Sequence, residues 1–140
     1  MQTTITPISA YTDNYIWLIQ QGSQAICIDP GQAAPVLVYL RAHGLTLAQI
    51  WITHAHADHT AGIAQLQQHF SGCPVYGAAD IPQASHIVNE GDSIVWQNHR
   101  ASVWHTAGHT ASHRCYLLDN QHLFTGDTLF SAGCGRVFPD

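Results

Sequence analysis

The chain has 140 residues with a formal net charge of −5, and nearly half of it is hydrophobic, which suits one globular domain and excludes a disordered chain. Its four cations are Arg41, Arg100, Arg114 and Arg136. The lack of any lysine excludes Schiff-base chemistry, and the lack of a basic run argues against nucleic acid as a partner. Eleven histidines are the one compositional oddity.

In chain order, residues 1–20 lack a basic segment followed by an unbroken apolar stretch, so no signal peptide is expected. Residues 14–20 and 25–29 read as strands around a Gln21-Gly22-Ser23 turn. Asp29-Pro30-Gly31 breaks the pattern, and residues 33–43 suit a helix with Pro35 in its first turn. A short buried strand is expected at 49–53. A second helix beginning near Thr60 would place Ile63, Leu66 and Phe70 on one face. Residues 74–77 form a further strand. From about 92 the pattern becomes strand-rich: Ser93–Gln97, Ala101–Thr106, His113–Leu118 and His122–Thr125, with a turn at Asp119-Asn120. Alternating strands and helices followed by a strand-rich run favour two packed sheets with helices outside. No apolar run reaches membrane-spanning length. Cys27, Cys73, Cys115 and Cys134 form no C-x-x-C pair, which fits a reduced, cytoplasmic setting.

The densest chemical signal is Thr53-His-Ala-His-Ala-Asp-His59, with three imidazoles and a carboxylate in six positions. These side chains bind zinc and similar metals. If the backbone stays extended past Thr53, then His54, His56 and Asp58 project one way and His59 another. One loop then serves two metals, a histidine pair for one and Asp58 with His59 for the other. Two later strands also end in potential ligands behind a glycine, Gly108-His109 and Gly126-Asp127.

These segments, in order, resemble the metal motifs of the metallo-β-lactamase superfamily. Within it, Asp13–Trp17, Ile28–Gly31 and Asp127–Arg136 make the chain similar to the glyoxalase II family, the hydroxyacylglutathione hydrolases. The resemblance implies an α/β (α+β) fold, the αββα sandwich, incomplete at the C-terminus. Residues 1–140 would be its catalytic domain, truncated, with the family's helical C-terminal substrate-binding domain absent. It further implies two divalent metals, zinc foremost, with iron or manganese as alternatives. His54, His56 and His109 would hold the first, Asp58 and His59 the second, and Asp127 both. Asp58 and Asp127 would thus also be catalytic. The implied reaction is hydrolysis of S-lactoylglutathione to glutathione and D-lactate by a metal-bound hydroxide.

Arg136, Val137 and Phe138 would contact the glutathione thioester, and Asp29 would orient a ligand histidine from behind. Cys134 is expected in a tight Gly-Cys-Gly turn and not as a nucleophile. His43, His69, His86, His99, His105, His113 and His122 are read as non-ligating. The family's last ligand of the second metal is a histidine, and no histidine follows His122. The expectation is therefore a monomer that binds one metal better than two and turns over poorly. The competing expectations are an iron-dependent persulfide dioxygenase using His54, His109 and Asp127, and an inactive metal-binding remnant.

Overall fold

The structure is a computed structural model that describes residues 3–10, 14–105 and 112–125, and the backbone of 134–136. Two sheets pack face to face. The first has the strand order β1 (Thr4–Ala10), β2 (Asn14–Gln21), β3 (Gln24–Ile28), β4 (Thr46–Trp51), β5 (Val75–Gly77), β6 (His86–Ile87). Its first three strands are antiparallel, and from β3 onward the pairing is parallel. The crossovers carry α1 (Ala33–Ala42), α2 (Ala57–Thr60) and α3 (Ile63–His69). The second sheet is antiparallel and adds β7 (Ser93–Trp96), β8 (His99–His105), β9 (Arg114–Leu118), β10 (His122–Phe124) and β11 (Cys134–Arg136) in the order β11-β10-β9-β8-β7.

The alternation of side chains along the central strands builds two cores. Ala25 and Cys27 face the helices with Ile16 and Leu18, where Val36 and Leu40 of α1 and Ile63 and Leu66 of α3 cover them. Ile26 and Ile28 face the second sheet, against Trp51, Val103, Tyr116 and Phe124. Strands buried on both faces read as continuous apolar runs, as Ala-Ile-Cys-Ile does here. Each fully buried large side chain, such as Trp51 or Phe124, stabilises the fold by roughly 1.5–3 kcal/mol before entropy is counted. A bulge shifts the β3–β4 register, so that Ala25 pairs Leu47 but Ile26 pairs Gln49. Gln49 is thereby buried, where its Oε1 accepts a 2.9 Å hydrogen bond from the Trp51 indole.

Several expectations change. Thr4–Ala10, for which no element was expected, forms β1, where Pro7 lies opposite Trp17 on an edge strand. The strand expected at 49–53 runs three residues earlier and stops at Trp51. Cys134–Arg136 is a strand and not a tight turn, because its backbone pairs with β10, with Gly135 opposite Leu123. Among the described residues, no helix is long and apolar enough to cross a membrane.

Candidate metal centre

Parallel strands leave their carboxyl ends open for binding groups. Here Asp29 directly follows β3, and Thr53-His54 lie just beyond β4. The Asp29 N–H donates to the Trp51 carbonyl at 2.9 Å, which stitches the two loops together. The second sheet grips the same point. Arg114 N–H donates to the Thr53 carbonyl at 2.8 Å, and the Tyr116 hydroxyl donates to the Ile52 carbonyl at 2.5 Å.

The backbone is extended at His56 (φ −61°, ψ 142°) and turns helical at Ala57. The extended run that would align His54, His56 and Asp58 is thus broken: His54 is buried and His56 exposed, and Asp58 sits in the first turn of α2. His59, expected to point elsewhere, instead turns back. Its ring centroid is 4.2 Å from that of His54, closer than His56 at 4.7 Å. His54 and His59 are buried, His56 is exposed, and the Asp58 side chain is about half exposed, 3.7 Å from His59 Nε2. The loop thus has a buried inner side and a solvent-facing outer side.

Behind the inner side stands Asp29, itself buried and at φ +56°, a conformation that Asp adopts more readily than most residues. Its Oδ1 accepts from the Thr53 N–H at 2.8 Å and its Oδ2 from the Thr53 hydroxyl at 2.7 Å. His59 Nδ1 lies 3.0 Å from the same Oδ2, and Thr53 Oγ1 lies 2.9 Å from His54 Nδ1.

Sequence reasoning missed Thr53, whose only signal was a hydroxyl directly before the first histidine. It also read His113 as uninvolved. His113 is fully buried and stacks on His54 at 5.0 Å with 22° between the rings. Its neighbour Arg114, also buried, holds the adjoining chain through the carbonyls of Val88 and Ser112 and the side chain of Asn89. His109, Asp127, Val137, Phe138 and the Arg136 side chain lie outside the described residues.

Among the described residues, no three His, Cys, Asp or Glu side chains converge tightly enough to hold a metal by themselves. The donor chemistry nevertheless fits one. Metal-binding histidines characteristically have their second ring nitrogen held by a carboxylate or another polar group. Here Nδ1 of both His54 and His59 meets such a group. Nitrogen and oxygen donors of this kind suit zinc, iron or manganese.

Residues 12–139 match the model of the metallo-beta-lactamase superfamily, and the chain belongs to that family. Divalent metal binding comes with this membership. The chain is 52% identical over 137 residues to a hydroxyacylglutathione hydrolase of Neisseria gonorrhoeae (strain NCCP11945), covering 96% of this chain and 55% of that protein. It is 49% identical to a hydroxyacylglutathione hydrolase of Haemophilus ducreyi, covering 96% of this chain and 57% of the relative. The chain thus spans about half the length of the curated relatives it matches. Among solved structures, ETHE1 from Myxococcus xanthus superposes with a TM-score of 0.78 at 30% identity, covering 93% of this chain and 59% of that one. The BLEG-1 B3 metallo-beta-lactamase gives a TM-score of 0.81 at 24% identity, covering 91% and 73%, and bears on the fold alone. The αββα sandwich is thereby the family's architecture, and the two sheets and one helical layer described above are parts of it.

Proposed function

We propose that residues 1–140 act as a metallo-β-lactamase-type catalytic domain of a glutathione thioester hydrolase, converting S-(2-hydroxyacyl)glutathione to glutathione and a 2-hydroxy acid such as D-lactate. The observation that carries this reading is the pair of buried imidazoles, His54 and His59, each backed at Nδ1, within a chain about half identical to hydroxyacylglutathione hydrolases. On this reading His54, His56 and His109 hold one metal, Asp58 and His59 a second, and Asp127 both. Zinc is the favoured ion.

A divalent metal held there would lower the pKa of a bound water to about 7 and so supply the nucleophile at neutral pH. The chain's own residues do the rest. Asp29 and Thr53 orient the inner imidazoles, and the half-exposed Asp58 carboxylate and exposed His56 ring border the side from which a substrate arrives. Arg136 pairs with a carboxylate or carbonyl of the glutathione moiety, with Val137 and Phe138 beside it.

Nucleophilic chemistry at Cys27 and Cys73 is disfavoured. Burial, with the Asp29 charge adding to it, pushes the Cys27 thiol well above its usual range, and burial pushes Cys73 up to about 11. Neither is a thiolate near neutral pH.

The test is an activity comparison with zinc- and iron-loaded chain. Zinc-dependent release of glutathione from S-lactoylglutathione, lost in His54→Ala, is the expected result. Iron-dependent oxygen uptake with glutathione persulfide, without thioester hydrolysis, would replace this reading with a persulfide dioxygenase. Metal binding with neither activity would leave a metal-binding remnant.

A further inference from the structure

We propose that Thr53 is a positioning residue that fixes His54 in its Nδ1–H tautomer, so that Asp29 orients two metal ligands at once: His59 by direct approach and His54 through the Thr53 hydroxyl. The inference rests on the metal-centre reading above and deepens it.

The argument is a proton count. A threonine hydroxyl has one hydrogen to donate, and a carboxylate only accepts. Thr53 Oγ1 lies 2.7 Å from Asp29 Oδ2, so its hydrogen points there. The same Oγ1 lies 2.9 Å from His54 Nδ1. With its hydrogen committed, the oxygen can only accept from that nitrogen, so Nδ1 carries the proton. A neutral imidazole protonated at Nδ1 has its lone pair on Nε2, the nitrogen then suited to a metal.

The hydroxyl has little room to choose otherwise. Thr53 and His54 are both fully buried, which limits competition from water. The Thr53 N–H is bound to Asp29 Oδ1 at 2.8 Å, and its carbonyl accepts from Arg114 N–H at 2.8 Å. The backbone is therefore held from both sheets, and the side chain hangs from a fixed frame. Asp29 Oδ2 also stands 3.0 Å from His59 Nδ1, so the same carboxylate lies against both rings' supports. A residue that is not itself a ligand thus decides which nitrogen of the innermost histidine a metal meets.

The test compares the full chain with Thr53→Val, which keeps the shape and removes the hydroxyl, and Thr53→Ser, which keeps the hydroxyl. Nitrogen-15 NMR of the histidine rings reads the tautomer directly in the metal-free chain, and competition with a chelator reads zinc affinity. We expect Nδ1–H at His54 in the parent and in T53S. In T53V we expect loss of that preference and zinc affinity lower by about 10–100-fold. An Nε2–H tautomer in the parent, or T53V with unchanged tautomer and zinc affinity, would overturn the proposal. If T53V does not fold, the ring spectra of the parent and T53S still decide it. Normal tautomer and zinc affinity without thioester hydrolysis would instead count against the proposed function and leave this inference standing.

Discussion

Asp29 shows how a single residue ties backbone conformation to chemistry. At φ +56° it occupies the left-handed region, where Asp and Asn are tolerated and alanine is penalised by roughly 1–2 kcal/mol. Asp29→Asn should therefore keep the fold while weakening the contacts to Thr53 and His59. Its zinc affinity should fall by about 10–100-fold, read by chelator competition, with a modest change in thermal midpoint. Asp29→Ala should lose affinity and also melt at lower temperature, because strain adds to the lost contacts. Much of this site was legible in the residues themselves. The heptapeptide 53–59 stood out as a cluster of candidate ligands, and Asp29 was expected behind one of its histidines. Thr53 and His113 were not legible in the same way, because their roles depend on contacts 24 residues away in one case and across the sheet interface in the other.

At the scale of elements, the turn from extended backbone to helix at Ala57 aims His59, and a close approach holds α2 and α3 against the Asp29 loop. A Cβ on Gly62 would meet the Pro30 carbonyl oxygen at 2.5 Å, Ala33 N at 2.7 Å and the Gln32 carbonyl carbon at 2.8 Å. All three are backbone atoms with no rotamer to yield. Gly62→Ala should therefore destabilise the chain by about 1–3 kcal/mol in denaturant unfolding and weaken zinc binding as the loops move apart. Tyr116 bridges the two sheets at the root of the same loop. Tyr116→Phe removes its hydroxyl from the buried Ile52 carbonyl and should destabilise by about 1–2 kcal/mol. The long apolar strands and α1 were readable from periodicity, as Ala33–Ala42 illustrates. The short strands β6 and β11, of two and three residues, were not. Such segments are strands only because a neighbouring edge is there to pair with, and no local propensity announces that.

For the molecule as a whole, the two cores meet the metal loop at one end of the sandwich, so global stability and site geometry are coupled. Alkaline pH offers one check. The folded chain holds Cys73 as a neutral thiol up to about 11, and burial raises Cys27 as well, whereas the unfolded chain ionises both near 9.0. Stability from these raised values is fully present below pH 9 and drains as pH rises through the folded values. The midpoint of urea unfolding should therefore fall between about pH 9 and about pH 11, and Cys73→Ala should reduce that slope. The reading proposed above makes the loop at 54–59, braced by Asp29 and Thr53, a metal centre built on His54. A zinc titration of the chain against a competing chelator, repeated with His54→Ala, tests it most directly. Tight zinc binding by the parent, lost in His54→Ala, is the predicted result. No tight zinc in the parent, or a tight zinc that survives the loss of His54 unchanged, would contradict it.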